Sequence, residues 1–357
     1  MKSAAWLVLR VCLGLGVGAL FLLPASPAAQ SQSRVDDLLR TMGFSVGQVR
    51  ELRTGAAVTR TLDTPVREEL AHVGVVRIQA TPQRFMERFR DIERFERGPG
   101  IPQIGRFGNP PSLEDLRSLT LPPADVAALR LCRPGTCGMK LPAAAMSRFR
   151  EDVDWSSEGA IRQANDVFHQ TMLDLVRAYQ VGGNSALGRY DDSDEPLLVA
   201  DQVRALLVSD DPLPTPVPAL LAYLDSYPRG RPDGAEDFFY WTVVEFGLKP
   251  TVRVNHVTVY PLDASASGGV AYAIATKQLY ASHYFHTTLE LRFLLADDTG
   301  DRLGSWLVSI TRSRNDGMTG FRGLFVRPIV ARRSRDGVNG YLEHVKRQFE
   351  RPASAAF

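Results

Sequence analysis

Cysteine is scarce in this chain, with three in 357 residues, and no two of them form a C-x-x-C pair. Net charge is nearly absent. The formal +2 comes entirely from Lys2 and Arg10, and beyond residue 30 basic and acidic side chains cancel. That balance leaves a whole-molecule attraction to nucleic acid unsupported. Internal repeats and long low-complexity tracts are missing too. So are the G-x-S-x-G elbow, H-E-x-x-H, the P-loop and a dinucleotide fingerprint after a strand, which argues against a standard esterase, zinc protease or nucleotide enzyme. What remains, at 44% hydrophobic and 23% charged residues, is globular composition able to bury a large core.

The one long apolar run lies at the N-terminus. Lys2 and Arg10 precede Val11–Leu23, and small residues follow in Pro24-Ala-Ser-Pro-Ala-Ala29. A basic start, a short apolar stretch and a small-residue cleavage site read as an export signal over residues 1–28. The run falls short of the ~20 residues a membrane span needs. A periplasmic or secreted protein is the expectation. Cys12 leaves with this leader. Cys132 and Cys137 remain, flanking a Pro134-Gly135 turn, and in an oxidising compartment they are expected to form a disulfide. No His follows the pair to make a c-type haem site.

Beyond the leader, residues 33–42 and 45–52 read as two short helices, the second capped by Ser45 with Gln48 at the capping-box position. Residues 56–62 and 70–80 are β-prone. Thr81-Pro82 then opens a helix carrying Phe85, Phe89 and Ile92 on one face. Pro and Gly crowd residues 98–123. Helical spacing returns at 142–155 and 157–179, with further helices expected at 197–208, 217–226 and 235–246. Four strand-like segments follow, at 251–262, 270–282, 284–296 and 305–314, joined by turn material at Gly268-Gly269 and Asp297–Gly300. Val338, Tyr341, Leu342, Val345 and Phe349 mark a closing amphipathic helix.

Runs of strands and runs of helices predict an α+β fold. The antiparallel sheet should pack on a long C-terminal helix. The parts are an N-terminal helical segment (29–55), a discontinuous α+β domain (56–99 with 249–351) and a mostly helical insertion (100–248). The strand Val75-Val-Arg-Ile-Gln-Ala-Thr-Pro82 leading into Arg84–Glu93, with the closing meander and helix, resembles the START-like, polyketide-cyclase helix-grip superfamily. That resemblance implies a curved sheet around a C-terminal helix, with an apolar cavity between them. Gln103–Pro111 and Cys132–Pro142 also look like a group of uncharacterised exported bacterial proteins.

Polar groups inside the strands are the candidate ligand contacts. Val252, Val254, His256, Thr258 and Tyr260 share one strand face, as do Trp306, Val308, Ile310 and Arg312. His256, Tyr260 and Arg312 would be polar anchors in an apolar wall, joined by Lys277, Tyr280 and Tyr284. A one-residue register error would exchange the two faces. His256, His283 and His286 show no metal-ligand spacing, and Asp191–Glu195 lacks the pattern of an EF-hand; no metal or cofactor is expected. Arg322, Arg327, Arg332, Arg333 and Arg335 run without an intervening acid, a basic stretch that reads as a solvated surface or as contact with a membrane or envelope partner.

Three functions stay open. One is an exported protein binding a hydrophobic or amphipathic, lipid-like molecule between sheet and final helix. Another is an enzyme in the same cavity, a hydrolase or cyclase with His256 or His283 as base and Arg312 steadying an anion. The third is an envelope structural or interaction protein.

Overall fold

The computed structural model describes residues 37, 39–208, 217–267, 269–297 and 304–350. The expected export leader with its cleavage site, Gly268, most of the Asp297–Gly300 turn and the Arg322 side chain lie outside the described residues. In chain order, α1 (Val46–Arg53) is followed by β1 (Val58–Leu62), β2 (Glu69–Ile78), α2 (Pro82–Phe89), α3 (Ile92–Glu96) and β3 (Gln103–Arg106). A helical stretch follows, with α4 (Pro123–Leu129), α5 (Ala143–Glu151), α6 (Ala160–Gly182), the small hairpin β4 (Arg189–Tyr190) and β5 (Leu197–Leu198), α7 (Val199–Leu207) and α8 (Pro218–Ser226). The chain then runs through β6 (Glu236–Val244), β7 (Thr251–Pro261), β8 (Val270–Ala281), β9 (Phe285–Asp297) and β10 (Gly304–Asn315) into α9 (Gly320–Glu350).

Local chemistry sets several of these boundaries. Ser45 and Gln48 form the expected reciprocal capping box at the start of α1. At α2 the Thr81 side chain accepts from the Arg84 N–H at 3.2 Å, with Pro82 in the first turn. Cys132 and Cys137 are disulfide-bonded. No helix among the described residues is long and apolar enough to cross a membrane.

Eight strands form one antiparallel sheet in the order β1-β2-β10-β9-β8-β7-β6-β3. The α+β class and the sheet closed by a long C-terminal helix follow the expectation. The insertion boundaries do not. Residues 103–106 and 236–244 belong to the sheet as neighbouring strands, so the helical stretch runs from 107 to 235. The helix expected at 235–246 is therefore strand β6. Its Phe239, Trp241 and Val243 face the insertion core, while Phe238 and Tyr240 face α2 and α3. A strand buried on both faces has no polar alternation to betray it, and its aromatic and β-branched residues favour the extended backbone.

The two faces of the sheet are covered differently. On one lie α1 and the insertion, packed on Val73, Val75, Val254, Leu291, Val308 and Ile310. On the other lie α2, α3 and α9, packed on Val76, Val257, Ile274, Leu294 and Leu307. Gly74 permits the close approach of α9. A Cβ there would stand 2.5 Å from Leu342 Cδ1 and 3.0 Å from Val338 Cγ1.

Candidate functional site

The alternation expected in β7 and β10 is present, and its direction is opposite to the one a ligand cavity under α9 requires. His256, Lys277, Tyr280 and Arg312 all face the helical insertion, and half-buried Tyr260 packs against the core on that side. Tyr280 would have faced away from Lys277 by simple alternation. A bulge shifts the β7–β8 register between Val254 and Asn255 and turns it to the same side. Tyr284, at φ 61°, sits at the far end of the sheet, where its hydroxyl accepts from the Lys249 N–H.

These residues divide into separate clusters. The buried Tyr179 hydroxyl hydrogen-bonds His256 Nδ1 at 3.0 Å, and His256 Nε2 meets Asp237 Oδ1 at 2.9 Å. Thr258 donates to the same oxygen at 2.7 Å, and Tyr223 to Oδ2 at 2.6 Å. Burial raises the Asp237 carboxyl, but the donor from His256 and the other hydrogen bonds hold it below the usual carboxylate range. Burial keeps His256 low in spite of Asp237. Lys277 donates to Asn184 Oδ1 and the Leu224 carbonyl, both at 2.8 Å, and lies 5.0 Å from the Tyr179 ring centroid. Burial brings its amine down to about 7.

Asp237 reaches the wall of an open cleft of about 700 Å³, shared with Arg106, Tyr223, Tyr227 and Arg231. His256 has no exposed surface, and the carboxylate between it and the cleft is already occupied by three donors. That is a poor arrangement for a general base, which needs reach to the substrate proton and a matched pKa. Arg312 is committed elsewhere, to Glu69 at 2.7 Å and the Leu206 carbonyl at 3.0 Å. Three histidines in or beside the strands β7 to β9 each have their own carboxylate: Asp237 for His256, Asp125 for His283 and Asp316 for His286. Among the described residues no cluster of His, Cys, Asp and Glu could hold a metal ion.

The α9 side of the sheet carries the less expected chemistry. Asn255 pairs with Gln278, Thr276 with Glu290, Glu290 with Thr311, and Thr311 with His72. Ser309 pairs with Arg292 one row away. Directly opposed side chains on one sheet face stand roughly 5 Å apart, so these residues form a continuous polar patch across five strands. His72, Asn255, Thr276, Gln278, Thr288 and Arg292 are all buried.

Seven of their side-chain atoms have no hydrogen-bond partner: His72 Nε2, Asn255 Oδ1, Thr276 Oγ1, Gln278 Nε2, Thr288 Oγ1, and Nε and Nη1 of Arg292. Each such atom, if left dry, costs about 1–3 kcal/mol. The rest of Arg292 is held by Glu290 at 2.8 Å and by Glu96 at 3.5 Å, with Tyr341 donating to Glu96 at 3.1 Å. Burial raises the Glu96 carboxyl. Burial, and then the charge of Arg335, lowers His72 to about 4, so it is neutral near pH 7.

The helix above this patch is seated unevenly. Leu342, Val345 and Phe349 seal the C-terminal half of α9 against α2 and the sheet. Towards the N-terminal half, Val330, Ala331, Ser334, Arg335 and Val338 are only half-buried. Arg335 of this looser stretch acts on His72 at one end of the patch, while Tyr341 beyond it covers Arg292, its ring centroid 4.8 Å from the guanidinium. None of the ligand contacts expected from the sequence belongs to this patch, because those on the strands alternate onto the other face. The signal was available, since Asn255 alternates with His256 and Val254 in β7.

Comparison with family models and with curated proteins found no match.

Proposed function

We propose that this is an exported binding protein that holds an amphipathic, hydrogen-bonding small molecule between the polar patch of the sheet and α9. The observation that carries the reading is the cluster of seven unpartnered polar atoms on the sheet face against which α9 packs. Orphaned groups at this density are rare in folded proteins unless something completes them. Polar anchors set in a largely enclosed, mainly apolar surround are the usual construction of a ligand site. Here Val257, Ile274 and Leu294 supply the apolar neighbours. Export is supported by the leader and by the Cys132–Cys137 crosslink.

The β2–α2 opening, the β7–β10 meander and the closing α9 support a relationship to the helix-grip proteins. In that fold the ligand lies on the same side of the sheet. The lining differs from the apolar wall that the resemblance implies, so a ligand bearing hydroxyl, amide or carboxylate groups fits better than a plain hydrocarbon.

Native mass spectrometry of protein purified without denaturant tests this, together with thermal shift against a panel of amphipathic molecules. The expected result is a bound small molecule, or stabilisation by a panel member, that is lost in Gln278→Leu. A bare mass with no stabilisation by any panel member overturns the proposal.

A further inference from the structure

The outer surface of α9 is unlike the rest of the molecule. Phe321, Leu324, Phe325 and Ile329 are 78%, 52%, 63% and 51% exposed. They recur at spacings of three and four, so they form one stripe along the first turns of the helix. The Phe321 and Phe325 rings meet edge to face at 5.5 Å, presenting a joint aromatic surface. The other large apolar side chains with comparable exposure, such as Val46 on α1, Leu131 after α4, and Ile161 and Val181 at opposite ends of α6, do not gather into a stripe.

Beyond Ile329 the same outward line continues into exposed Arg332, with exposed Arg333 beside it. No acid occurs between Thr319 and Arg335, and Asp336, which pairs with Arg335, is the first. Arg327 is a structural exception. It turns inward to the Thr64 hydroxyl and the carbonyls of Arg67 and Glu69, which pins the helix to the β1–β2 loop.

A water-facing stripe with two phenylalanines, a leucine and an isoleucine, continued by unpaired-sign arginine charge, matches the boundary between acyl chains and anionic head groups. We propose that the N-terminal half of α9 docks this protein on an anionic phospholipid surface, with Phe321, Leu324, Phe325 and Ile329 entering the interface and Arg332 and Arg333 meeting the head groups. The inference rests on this exposed surface and does not depend on the ligand site beneath the helix.

The test is co-sedimentation of the full chain with phosphatidylcholine vesicles, with and without one-third phosphatidylglycerol. The leader is common to all variants, so the readout is the ratio of anionic to neutral partition. The wild type should favour anionic vesicles, and this preference should fall at least tenfold in Arg332→Glu/Arg333→Glu. Phe321→Ser/Phe325→Ser should weaken binding to the anionic vesicles to a similar degree. Both pairs are exposed, and unchanged circular dichroism would confirm that the fold is retained. Equal partition onto both vesicle types, or no response to either variant, overturns the proposal. So does a wild-type dimer in sedimentation velocity that Phe321→Ser/Phe325→Ser dissolves, which would make the stripe a contact with a second copy.

Discussion

Replacing Thr276 and Thr288 by valine asks whether the polar patch under α9 is completed by something other than protein. Both hydroxyls are buried and unpartnered, and valine has nearly the same shape. If the hydroxyls are truly orphaned, each substitution removes a desolvation penalty of about 1–3 kcal/mol, and the double variant gains roughly 2–6 kcal/mol. If a ligand or ordered water completes them, each substitution instead forfeits a hydrogen bond worth about 0.5–1.5 kcal/mol, a total loss of roughly 1–3 kcal/mol. The two outcomes differ in sign, which makes the measurement decisive. We expect the loss, read as a lower urea midpoint with unchanged slope. Thr258→Val serves as the reference. Its hydroxyl donates to Asp237 at 2.7 Å, so it should lose about 1.5–3 kcal/mol under either account. A double variant more stable than the wild type would refute the reasoning.

Other consequences can be checked separately. Unfolded histidine takes up a proton as pH falls below 6.5, while folded His72 resists until about 4; stability should therefore decline between those values, and His72→Gln should flatten the slope of urea midpoint against pH. An unchanged slope would remove His72 from the acid response. Opening the Cys132–Cys137 crosslink, which closes a loop of about six residues, should cost no more than about 2 kcal/mol, measured by denaturation with and without reductant. Gly74→Ala places a methyl against Leu342, Val338 and Thr59. It should cost about 1–3 kcal/mol and hasten proteolysis within α9, and wild-type cleavage kinetics would contradict the close-packing account.

Much of the architecture could be read from the residues alone. Ser45 with Gln48, and Thr81 with Pro82, announced their helix starts because capping chemistry is local. The strands of the closing meander were legible through their β-branched and aromatic content. β6 was not, because Phe238–Trp241 are buried from both sides and periodicity carries no information when every position is apolar. The site was half legible. Alternation correctly grouped His256 with Tyr260 and Trp306 with Arg312, yet parity along a strand cannot say which layer each face meets. That choice is made by the long-range packing of α6 and α9, and it sent His256 to Tyr179 and Asp237 and left Asn255 and Gln278 beneath α9. The bulge beside Val254 added a turn in direction for Tyr280 that no composition rule marks.

The helical stretch leaves the sheet after β3 and re-enters at β6, two strands that lie side by side. Its ends therefore meet at one rim, and in topological terms a short hairpin could replace residues 107–235 without altering the path of the remaining chain. Energetically the excision is forbidden: Trp241, Val243, Val252, Val254 and Leu279 would be stripped to water along the whole flank. An element that is dispensable to the wiring has thus become indispensable to solubility, and a trimmed version of this protein would need that flank rewritten with polar side chains before it could stand alone.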